Sequence, residues 1–68
     1  MTHARFAIQP DLGARLREER RAIKLSQRAL AGLIGVTNLT ILAYERGTSP
    51  ITAPTLHKLA DAGVDVYY

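Results

Sequence analysis

Apolar positions recur at helical spacing along most of the chain. Leu12, Leu16 and Ile23 fall on one side together with Arg20, which predicts a first helix from about residue 10 to residue 23. Pro10 suits its first position and Asp11 its positive end, while Glu19 lies awkwardly close to the inner face. Ser26 is a good N-cap for "QRALAGLI", which carries Leu30, Ala31 and Ile34 inward and stops at Gly35; Ala29 stands where a capping box would have Glu or Gln. Thr37 caps a third helix over residues 38 to 46, and Gly47 ends it in the left-handed conformation. After the turn-rich "TSPITAP", Thr52 caps a fourth helix with Pro54 in its first turn and Leu56, Leu59 and Ala60 facing inward, until Gly63 closes it. Residues 1 to 9 alternate briefly at Phe6 and Ile8, as an extended arm or a disordered one, and "VDVYY" reads as a helical turn or a tail. The pattern predicts an all-α bundle of four to five helices over residues 10 to 68. Leu16, Leu30, Ala31, Ile34, Val36, Ile41, Leu56 and Leu59 are expected to be buried.

The third helix has more apolar residues than one stripe needs. Within "GVTNLTILAYERG", Leu39, Ile41, Leu42, Ala43 and Tyr44 cannot all face one core. Two short helices separated by "GVT" fit a helix-turn-helix, with Ala31 small at the crossing, Gly35 in the tight turn and Val36 at the corner. Ile41 and Tyr44, three apart, return to that core. Leu39, Leu42 and Ala43 are then left over.

At 68 residues there is room for one small core and one domain. With no cysteine, and with His3 and His57 far apart, neither a disulfide framework nor a zinc site holds the fold, and no metal or cofactor is expected. No apolar run approaches the ~18 residues of a membrane span, and "MTHARFAIQP" lacks a signal-peptide core, so the expectation is cytoplasmic and without a membrane partner. Net charge is +3, but it is unevenly spread: Arg15, Arg17, Arg20, Arg21, Lys24 and Arg28 crowd one stretch with Glu18 and Glu19. Such a cluster favours a polyanion, although a solvated face laced with Glu–Arg pairs has the same composition.

The stretches "LSQRALAGLIGVTNLTILAYERG", "LGARLREERR" and "TLHKLADAGV" resemble the Cro and lambda-repressor-like (XRE-type) helix-turn-helix family, from Leu12 to about Val66. The resemblance implies a sequence-specific transcriptional regulator, typically a repressor, associated with a bacterial or phage nucleoid. Its third helix would enter the major groove of double-stranded DNA, as a homodimer on a palindromic operator. By similarity Gln27 holds a phosphate from the start of the second helix, Thr37, Asn38, Leu39, Leu42 and Ala43 face the groove, and Arg20 and Glu45 match a pair tying the first helix to the third. Many relatives continue beyond the position of Tyr68 through a fifth helix or a second domain.

Departures sharpen the reading. Lys24 stands where the family usually has a helix-ending glycine and Glu19 where it often has leucine. Leu39, Leu42 and Ala43 replace its commoner Arg, Gln, Ser or Glu. Asn38 remains as the main reader, matched to the N6 and N7 edge of adenine, and the leucines pack on thymine methyls, which predicts an A·T-leaning site. The alternative is a protein-interaction module on the same fold, an antitoxin or adaptor, with Leu39 and Leu42 on a partner protein, or against the chain's own Phe6 or Ile8. Arg17, Arg28 and Arg46 are candidate phosphate contacts beside Gln27, with Arg15 and Arg21 as further members of the cluster. An enzyme would have to combine Ser26 or Ser49 with His57 and Asp61 without a nucleophile turn or oxyanion donors, so no enzyme is expected. Tyr67 and Tyr68 suit packing better than stacking on nucleic acid.

Overall fold

Four helices make up the described part of the chain, α1 (Pro10–Ala22), α2 (Gln27–Ile34), α3 (Asn38–Arg46) and α4 (Ala53–Asp61). The structure is a computed structural model that describes residues 10 to 64 and residue 66. The arm expected over residues 1 to 9, with His3, Phe6 and Ile8, lies outside the described residues, as do Tyr67 and Tyr68.

The helix starts follow the capping chemistry of the sequence. Ser26 accepts the amide of Ala29 at 2.9 Å, and Thr37 accepts that of Thr40 at 3.2 Å. Thr52 has the extended backbone of an N-cap but makes no side-chain cap; its hydroxyl instead donates to Thr55 Oγ1.

The four helix ends share one device. Each is followed by a left-handed residue, Lys24, Gly35, Gly47 or Gly63, and the amide after it bonds back five residues. Those bonds run from Leu25 to Arg20, Val36 to Ala31, Thr48 to Ala43 and Val64 to Leu59. Three of the four positions are glycine. At the fourth, Lys24 holds a φ of 64° and bears the left-handed strain of a residue with a Cβ.

The centre of the core is fully buried Leu16, Leu30, Ile41, Leu59 and Val64, with Ala31, Ile34, Tyr44 and Val66 around it. Helix α3 packs on both α1 and α2, while α4 reaches the bundle through α2. Val36 and Leu56, expected inside, are only partly buried: Val36 lies at the corner between α2 and α3, and both pack against the core from its edge. Ala60 is exposed, and Ile23 lies past the end of α1 with 39% of its surface in solvent. Val64 and Val66 belong to no helix, yet they close the core that the pattern left to Val36 and Leu56.

Gly13 fixes how closely α1 approaches α3. A Cβ there would fall inside contact distance of the carbonyl oxygens of Tyr44 and Glu45. Only a residue without a side chain lets α1 lie against the last turn of α3.

Candidate nucleic-acid interface

Helix α3 is held at its C-terminal end and open at its start. Arg20 lies on α1 and Glu45 on α3, 25 residues apart in sequence, and their side chains are 9% and 4% exposed. Arg20 Nε donates to Glu45 Oε2 at 2.6 Å and a terminal nitrogen to Oε1 at 3.1 Å, the parallel two-bond pairing that suits a guanidinium and a carboxylate. The other terminal nitrogen donates to the carbonyl of Leu25 at 2.8 Å, so the same side chain also pins the α1–α2 turn. The hydrogen bond to Glu45 raises the Arg20 pKa above the ordinary arginine value; burial works against the rise, and the opposite charge adds to it. Arg20 is therefore a permanent cation.

Gln27 joins this network from the first position of α2. Its amide Nε2 donates to Glu45 Oε1 at 3.1 Å, so one carboxylate ties three helices together. The sequence placed Gln27 toward solvent phosphate and did not foresee this contact. Its helical register on the same side as Arg20 and Glu45 only becomes visible once the helices are docked.

The start of α3 is bare by comparison. Thr37 is exposed with its hydroxyl given to the cap and to Thr40 Oγ1 at 3.1 Å. Asn38 is exposed, and Leu39 keeps 69% of its surface in solvent. Leu42 and Ala43 are only half exposed; Leu42 faces a cavity of about 310 Å³, while the Ala43 carbonyl accepts bonds from Thr48. Of the two leucines that the sequence grouped, Leu39 is the more exposed.

Arg17, Arg21 and Arg46 are exposed and line that same cavity, above the Arg20–Glu45 pair. Arg28 is exposed on α2. Arg15 lies 3.7 Å from Glu18, one turn along α1, a surface pair of small energetic weight. Among the described residues no group of three or more His, Asp or Glu is placed to hold a metal ion, and no helix is long and apolar enough to cross a membrane.

A helix-turn-helix family model matches residues 16 to 62, from the middle of α1 through the end of α4. The chain belongs to the XRE-type helix-turn-helix family. It is similar to the restriction-modification controller protein C.AhdI of Aeromonas hydrophila, with a TM-score of 0.73 and 40% identity over 76% of this chain and 79% of that one. It is also 40% identical over 55 residues to an uncharacterized transcriptional regulator in the ATPase CF(0) region of Rhodospirillum rubrum. Identity is 38% over 56 residues with the uncharacterized HTH-type transcriptional regulator y4aM of Sinorhizobium fredii. These matches take in 81% and 82% of this chain but 51% and 39% of the two relatives, so it spans about half their length or less.

Proposed function

We propose that this chain is the DNA-binding module of a transcriptional regulator that places α3 in the major groove of double-stranded DNA. The observation that carries the reading is the contrast within α3: Asn38 and Leu39 stand exposed at its start, while its far end is locked to α1 and α2 through Glu45. A rigidly mounted helix with an unpartnered leading edge is what groove reading needs. Family membership and the regulators and controller protein to which the chain is similar support the same conclusion.

In this reading Asn38 donates to and accepts from an adenine edge, Leu39 packs on a thymine methyl, and Thr37 and Ala43 flank them. Gln27 and the free amides at the start of α2 hold one backbone phosphate, and Arg28, Arg17 and Arg46 bind others. One of the two Nε2 hydrogens of Gln27 is used by Glu45, which keeps the amide oriented while the second remains for the phosphate. The module acts as a homodimeric repressor on a palindromic, A·T-leaning operator in the cytoplasm, without a catalytic step. Selection of binding sites from a random duplex pool tests this. The expected result is enrichment of two inverted A·T-rich half-sites about one helical turn apart. Recovery of no enriched sequence, with no salt-dependent binding to duplex DNA, overturns the proposal.

A further inference from the structure

Leu39 is the most exposed large apolar side chain among the described residues, with 69% of its surface in solvent, and it stands at the leading end of α3. Its polar neighbours are largely committed. Thr37 Oγ1 accepts the Thr40 amide and lies 3.1 Å from Thr40 Oγ1, so the two hydroxyls bond to each other. The one acid on α3, Glu45, is held by Arg20 and Gln27 at the far end. The start of α3 therefore offers a groove one amide, Asn38, and one aliphatic side chain. It has no carboxylate to accept from the N4 amino group of cytosine.

We propose that Leu39 makes this protein a reader of the pyrimidine C5-methyl group, so that 5-methylcytosine substitutes for thymine at one position of its site and cytosine methylation raises its affinity there. The inference rests on the DNA-binding reading and names a regulation of that site. Thymine and 5-methylcytosine carry the methyl on the same ring carbon, at the same place in the major groove. They differ at C4, where thymine presents an oxygen acceptor and cytosine an amino donor. Leucine has neither donor nor acceptor, so it gains from the methyl and is blind to the group beside it. Unmethylated cytosine leaves the same leucine against water. Successive helical residues are turned by about 100° from one another, so Asn38 and Leu39 address different parts of the groove and the two readings are separable. Charge makes the occupant duplex DNA and not an apolar protein surface: further along α3, Arg46 lines a cleft with Arg17 and Arg21 of α1, and such a cluster attracts a polyanion.

The test uses the selected half-site with each thymine changed in turn to cytosine paired with guanine, and a matched set carrying 5-methylcytosine. Dissociation constants are measured at one fixed salt concentration for the wild type, Leu39→Ala and Leu39→Met, each with its melting curve checked against the wild type. At one position 5-methylcytosine is expected to bind about four-fold more tightly than cytosine, the equivalent of one buried methyl. Leu39→Ala should make the two equal, and Leu39→Met, which keeps an apolar reach, should retain the preference. Methylated and unmethylated random duplexes should bind alike. A wild type that prefers thymine to uracil at a position but does not distinguish 5-methylcytosine from cytosine there overturns the inference and leaves the DNA-binding reading standing. A methyl preference that survives in Leu39→Ala also overturns it, because another group then reads the methyl. A wild type that binds no duplex at any salt removes the DNA-binding reading and this inference together.

Discussion

The two ends of α3 are built on opposite terms. Its last turn is over-determined: Tyr44 is buried, Glu45 is bonded from α1 and α2, and Gly13 lets the α1 backbone lie directly against it. Its first turn carries the Thr37 cap, and among the described residues Asn38 and Leu39 make no side-chain hydrogen bond or core contact. The difference separates two jobs. The far end spends stability on orientation, and the leading end leaves its side chains available to a partner, so substitutions at the two ends should fail in different assays.

The largest effect is expected from Glu45→Ala. Removing the carboxylate strands a buried guanidinium and releases Gln27, and losing one partner of such a pair costs about 3 to 5 kcal/mol. A domain this small has little more than that to lose. Thermal melting followed by circular dichroism should show a steep loss of folded protein near room temperature, and replacing both partners with Arg20→Met/Glu45→Leu should recover much of it. A double variant as unstable as Glu45→Ala would mean that the pair matters through packing and not through charge.

Gly13→Ala tests the same end by size alone. Helix propensity favours alanine by about 1 kcal/mol, so a rise in stability is what α1 would show in isolation. Contact with the carbonyls of Tyr44 and Glu45 reverses the sign, with an expected net loss of about 1 to 3 kcal/mol. A variant that melts higher than the wild type would show that α1 and α3 are not so close.

Legibility in the sequence follows the same division. Helix starts and the bounds of α2 and α3 were readable because caps and left-handed terminators are local chemistry at Ser26, Gly35, Thr37 and Gly47. Gly13 gave no such signal, since its reason is a backbone in another helix. Val64 and Val66 were hidden for a related cause: they follow a helix-ending turn and have no periodicity, though an apolar residue directly after Gly63 is the mark of this terminator. Leu42 is less exposed than Leu39, a difference the sequence did not show because helical spacing says which face a residue is on and not what stands across from it.

Asn38→Ala moves to the open end and should leave the melting curve unchanged. Its expected cost is about 1 to 3 kcal/mol of preference for an adenine-bearing site over random DNA, read as the ratio of the two dissociation constants. Equal weakening on both would place Asn38 on the backbone. Lys24→Gly sharpens the contrast from the stability side. Relieving the left-handed strain at φ 64° should raise stability by about 1 kcal/mol without altering base preference. An unchanged melting temperature would mean that the glycine's own unfolded-state entropy cancels the relief.

The smallest effect is expected at Leu39, and it decides what the apolar surplus at the open end is for. Burying one thymine methyl is worth about 0.8 kcal/mol, so Leu39→Ala should weaken a selected site only a few-fold and random DNA hardly at all. Uracil in place of thymine removes the same methyl from the other side. If Leu39 packs on that group, the wild type on uracil DNA and the variant on thymine DNA should lose the same factor, and combining the two changes should add nothing further. Leu42→Ala should show no such coupling, because its side chain faces the arginine cleft. Additive losses at Leu39 would put it away from the methyl. Undisturbed DNA binding by Leu39→Ala, with loss of self-association in sedimentation, would make a 69% exposed leucine part of a protein interface and leave Asn38 as the direct reader at the start of α3.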